Sequence, residues 1–136
     1  MDFKLVGSLE QLRTIPATVG TATVIEAGDL VALSSGVIVK AGAASAEIAY
    51  CPNGSADGET TCYITKGSDF ELSGTSDANF AVTDKGLIVD IAGTTTLLID
   101  LGESTTDVLK VSAATNAGTA GSTSDVRVSI NKPIQL

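Results

Sequence analysis

The 136-residue chain has no histidine and no tryptophan, two cysteines, three prolines, and aromatic residues at only 4% of its length. Each shortage removes a class of function. Without histidine there is no imidazole to serve as the general base of a Ser-His-Asp triad. Two thiols with neither histidine nor a third cysteine cannot complete a tetrahedral zinc site. Serines and lysines are present, yet nothing in the sequence marks one serine above the others as a nucleophile. No Gly-x-Gly-x-x-Gly or Walker sequence offers a phosphate cradle. No catalytic residue, metal ligand or cofactor is therefore expected. The missing tryptophan also removes the commonest stacking platform for a glycan, leaving only Tyr50 and Tyr63.

Long apolar runs are absent too. None approaches the roughly 20 residues that cross a bilayer, and the start of the chain, Met-Asp-Phe-Lys-Leu-Val-Gly, lacks the basic region and apolar stretch of a secretory signal. Positive charge is scarce, with 8 Lys and Arg against 16 Asp and Glu, a net charge of −8. The acids are spread along the whole chain, so the field repels nucleic-acid phosphates and anionic headgroups. Neither nucleic acid nor membrane is expected as a partner, and synthesis in a cytoplasm is.

What the chain has is short aliphatic runs separated by Gly, Ser, Thr and Asp. Asp29–Ala41 is the clearest unit: an apolar strand, a Ser34-Ser35-Gly36 turn, and a second apolar strand. Further strands are expected at Thr21–Glu26, Ala46–Cys51, Thr60–Thr65, Asp69–Leu72, Phe80–Val82, Leu87–Ile91, Thr95–Leu101 and Asp107–Ser112. The last, with Val126, Val128 and Ile130 on one face and Arg127 and Ser129 on the other, has the cleanest period of two. Pro133 ends that ladder because it has no N–H to donate. The expected fold is all-β: an antiparallel β-barrel or β-sandwich of about ten short strands, with an extended N-terminal arm and a core of Val, Ile, Leu and Ala. Residues 21–136 read as a single β domain. Residues 1–20 read either as an arm that docks on a partner or as a first strand and loop, with a capping box at Ser8-Leu-Glu-Gln11 that admits a helical turn.

Three local features have both a chemical and an ordinary reading. Cys51 and Cys62 flank a Gly-rich loop, and a hairpin there places them opposite each other, as a disulfide or as two buried thiols. Asn53, Ser55, Asp57 and Gly58 match the start of a calcium loop, but the twelfth position is Ile64 where a bidentate Glu is needed, so the stretch reads as a turn. Asp84, Asp90 and Asp100 read as turn or solvent-face residues.

The stretch Ala27-Gly-Asp-Leu-Val-Ala-Leu-Ser-Ser-Gly-Val-Ile-Val-Lys-Ala41 resembles the β-barrel capsid decoration, or cement, proteins of tailed bacteriophages, in which a Gly-Asp turn leads into an aliphatic strand, a Gly turn and a strand ending near Lys-Ala. Ser124–Pro133 is similar to a closing strand of such a module. The resemblance covers about a quarter of the chain. It implies a structural virion protein that binds the capsid exterior as a homotrimer or homodimer and clamps adjacent major capsid subunits. The apolar residues of the two ends, Phe3, Leu5, Val6, Leu9, Leu12, Ile15, Ile134 and Leu136, are then the candidate partner contacts. The rival expectation is a tail, baseplate, fibre or surface-adhesin β module.

Overall fold

The computed structural model describes residues 2–7, 12–21, 23–55, 60–113 and 119–135. They form eleven strands: β1 Lys4–Val6, β2 Thr14–Thr18, β3 Asp29–Ser34, β4 Val37–Lys40, β5 Ala49–Cys51, β6 Thr61–Thr65, β7 Glu71–Gly74, β8 Ile88–Ala92, β9 Leu98–Asp100, β10 Leu109–Val111 and β11 Val126–Ile130. The all-β expectation holds, and every ladder between strands is antiparallel. Two expected strands are absent. Residues 23–26 run irregularly, and Val82–Asp84 is a 3₁₀ turn in which the Asp84 carboxylate accepts the Ala81 N–H at 2.8 Å.

The strands form a six-stranded sheet in the order β1-β7-β11-β10-β8-β9, a three-stranded sheet β4-β3-β5, and a β2-β6 pair. The three-stranded sheet is buried on both faces, which explains the unbroken apolar run of Leu30–Ala32. Leu30 and Ala32 of β3 and Tyr50 of β5 pack into a large core with Leu72, Val89, Ile91, Val126, Val128 and Ile130 of the six-stranded sheet. Val31, Ile38, Ala49 and Cys51 face the other way, into a smaller core with Cys62 and Ile64 of β6. The period of two along β3 and β5 thus divides their side chains between two cores.

Between β3 and β4, Ser35 and Gly36 take φ of 51° and 83°, and Ser34 pairs with Val37. This is the two-residue turn with both central residues left-handed that the strand twist favours. The strands around the smaller core lie as a ring, β3-β4-β2-β6-β5, with uneven seams. A bridge from Val19 to Ile38 and the Gly20 N–H to Ile38 carbonyl bond of 2.9 Å join β2 to β4. At β5–β6 no ladder occurs among the described residues; the Tyr50 N–H donates to Thr65 Oγ1 at 3.1 Å and the Cys51 thiol to the Tyr63 carbonyl at 3.3 Å. The architecture is therefore layered sheets rather than a closed barrel.

Of the two readings of residues 1–20, the described part takes the strand. The segment is extended but paired: β1 lies on β7 and β2 on β6. The Ser8–Gln11 capping box lies outside the described residues.

The Asn53-Gly54 turn follows its sequence signal. Gly54 has φ +67°, and a Cβ there would stand 2.6 Å from the Ile25 carbonyl oxygen. Gly54→Ala is therefore expected to cost about 1–3 kcal/mol of stability, read as a lower urea midpoint at unchanged m-value.

Candidate interaction surface

Of the residues expected to contact a partner, Phe3 and Ile134 are buried in the chain's own interior, and Leu5, Val6, Leu12 and Ile15 are partly buried. Phe3 is 2% exposed in the large core, and its ring lies against Gly74 so closely that a Cβ there would be 2.5 Å from Phe3 Cε1. Leu5 and Leu12 pack on the same core, Ile15 packs on the smaller one, and Val6 is half-buried on β1. Ile134 is 4% exposed in the smaller core, and its N–H donates to the Ile48 carbonyl at 3.0 Å. Leu9 and Leu136 lie outside the described residues. The start of the chain is also held by charge: Lys40 Nζ pairs with Asp2 at 3.0 Å and with the buried Asp29 at 3.7 Å.

Cys51 and Cys62 are free thiols, both buried. Burial pushes the Cys51 thiol up to about 12, and burial raises Cys62 as well, because a thiolate is poorly solvated in the aliphatic core. Asn53, Gly54 and Ser55 form a turn in which Ser55 Oγ accepts the Ile25 N–H at 3.3 Å. Asp57 and Gly58, the rest of the apparent calcium loop, lie outside the described residues.

The acidic residues divide by environment. Asp90, read from sequence as a solvent-face residue, is 6% exposed. Its carboxylate accepts the backbone N–H groups of Thr105, Thr106 and Asp107 at 2.8–3.0 Å, so three successive amides wrap one anion. Burial alone would raise its pKa; these bonds outweigh it and hold the carboxyl below the usual range. Asp100 moves the other way, raised by burial and by neighbouring Asp77, whose own carboxylate accepts the Leu101 N–H at 3.1 Å. No group of three or more His, Cys, Asp or Glu suited to a metal occurs among the described residues.

What the fold leaves exposed is a set of apolar side chains away from the chain ends. Val82, Leu87 and Ile88 are 63%, 44% and 41% exposed and follow one another around a tight turn, closed by the Leu87 N–H to Asp84 carbonyl bond of 3.1 Å. Leu87 and Ile88 line a groove of about 470 Å³ whose far side is Leu101–Ser104, the loop held by Asp90. A second groove of about 670 Å³ runs between exposed Leu33 and the Asn131–Pro133 segment.

The chain matches no protein-family model, and no curated protein or solved structure is significantly similar to it.

Both grooves escape a reading of the sequence for a simple reason. Leu33, Leu87 and Ile88 sit inside runs that look like core, and which of them face water is decided by where sheets end. Asp90 did carry a signal: an aspartate between Val89 and Ile91, in mid-strand, needs donors when buried.

Proposed function

We propose that this protein is a structural component of a phage virion that binds the outer surface of the capsid and stabilises contacts between major capsid subunits, acting as a homotrimer or homodimer. The observation that carries the reading is the exposure of Val82, Leu87 and Ile88 close together in sequence around one turn, on a chain of net charge −8. Exposed apolar side chains of this size gain about 25 cal/mol per Å² when a partner covers them, and their clustering gives one contact patch rather than scattered loss. The resemblance of Ala27–Ala41 and Ser124–Pro133 to decoration proteins supplies the kind of partner. A net charge of −8 suits the outside of a shell better than its nucleic-acid-filled interior. Copies arrayed on a symmetric lattice make modest contacts add up by avidity.

Because Phe3 belongs to the core, truncating the N-terminus would test folding rather than docking. A point substitution on the exposed cluster separates the two. With purified capsids of a tailed phage, the full chain is expected to co-sediment, and Ile88→Glu to weaken binding by tenfold or more while leaving the thermal midpoint within about 2 °C. Wild-type protein that ignores capsids, or that binds isolated tails instead, would overturn the head assignment in favour of a tail or fibre module.

A further inference from the structure

We propose that Cys51 and Cys62 form an intramolecular disulfide that fastens the open β5–β6 seam when the chain meets an oxidising thiol–disulfide pool. The two thiols belong to the same small core, at 0% and 1% exposure, with Val31, Ile38, Ala49 and Ile64 around them. The Cys51 thiol donates to the carbonyl of Tyr63, the residue next to Cys62, at 3.3 Å. Side chains so placed on adjacent strands need little backbone movement to reach S–S bonding distance.

The location gives the bond a consequence. Around the ring β3-β4-β2-β6-β5, three of the junctions are ladders, and β2–β4 has a bridge with a backbone bond. Among the described residues the β5–β6 junction rests on side-chain bonds, from the Tyr50 N–H to Thr65 Oγ1 and from the Cys51 thiol to the Tyr63 carbonyl. Oxidation would add a covalent link at the Cys51 side of this seam and join two sheets that share no ladder among the described residues.

The chemistry is thiol–disulfide exchange with a small-molecule disulfide such as oxidised glutathione. One protein thiolate attacks a glutathione sulfur, forming a mixed disulfide and expelling a glutathione thiolate. The second protein thiolate attacks the protein-side sulfur of that mixed disulfide and expels the other. Two protein S–H bonds become one S–S bond, two protons pass to the departing thiolates, and oxidised glutathione is reduced to two thiols. Both cysteines are buried and their thiolates are disfavoured, so exchange proceeds through transient opening and is slow under native conditions.

The test uses the full chain, reduced and then incubated with oxidised glutathione with and without sub-denaturing urea. The expected product is monomeric, lighter by two hydrogens, without titratable thiol after unfolding, and with the peptides containing Cys51 and Cys62 linked. Urea is expected to speed its formation. The oxidised form should unfold at higher urea, its unfolded fraction lower by on the order of a hundredfold, as for other loops of this length. Comparing oxidised with reduced wild type avoids any dependence on a cysteine variant folding; Cys62→Ser, where it folds, should gain no such shift. Persistent free thiols after prolonged incubation in urea, disulfide-linked dimers, or an oxidised monomer no more stable than the reduced one would each overturn the proposal.

Discussion

Phe3→Ala is expected to lower stability by about 3–5 kcal/mol, the usual cost of emptying a buried phenylalanine site. The side chain fills space against Gly74 that has no alternative occupant: the glycine brings no Cβ, and Ile99 closes the far side. Its backbone N–H donates to the Gly28 carbonyl at 3.0 Å, so the ring is carried on a strand whose outer edge is already tied down. Urea unfolding followed by far-UV circular dichroism measures the loss. Phe3→Leu, which keeps most of the volume, should cost about 1–1.5 kcal/mol. A docking arm would behave differently, leaving stability untouched and affecting binding alone. The two outcomes separate a strand of the core from an arm without any partner being present.

Asp90→Ala is expected to cost about 3 kcal/mol, since three backbone N–H groups lose a charged acceptor and must turn to water at the expense of the loop. Asp90→Asn keeps one carbonyl oxygen and should lose roughly half as much. The pH dependence has a definite sign. The folded carboxyl sits below its ordinary value, so between the two values the unfolded chain binds the proton more readily. The stabilisation is thus complete above the unfolded value of about 3.9 and disappears as pH falls through the depressed folded value. Asp100 works in the opposite sense: its raised pKa means that the folded state gains, relative to neutral pH, once Asp100 is protonated. Urea midpoints of wild type and Asp90→Asn between pH 2 and pH 7 measure the difference. The gap between them should be widest at neutral pH and close towards acid; a gap independent of pH would rule out the carboxylate charge as its source.

The local elements were readable because local physics decides them. The Ser35-Gly36 turn needs residues tolerant of positive φ, and they are there; Val126–Ile130 alternates because one face meets core and the other does not. Pairing is a different matter. Leu5 and Val6 look like part of an apolar arm when only their neighbours in sequence are seen, and only β7, more than sixty residues further on, makes them a strand. The same non-local step hid Asp90, whose donors lie on a loop fifteen to seventeen residues away. Thr21–Glu26 reads as β-branched strand, yet its described residues 23–26 have no partner ladder, since propensity without a neighbouring edge does not make a sheet. The exposed Leu87 and Ile88 show the converse: residues in a run that reads as core remain 44% and 41% exposed.

The sheet β4-β3-β5 serves as a wall common to both cores, and that sharing bears on how the molecule comes apart. Neither core can melt alone, because losing either leaves one face of β3 uncovered while the other still holds it in place. Heat or denaturant should therefore take the whole domain through a single transition, with calorimetric and van't Hoff enthalpies equal. Substitutions at Leu30 and Val31, adjacent in sequence but facing opposite cores, should in turn show energetic coupling through the backbone they share.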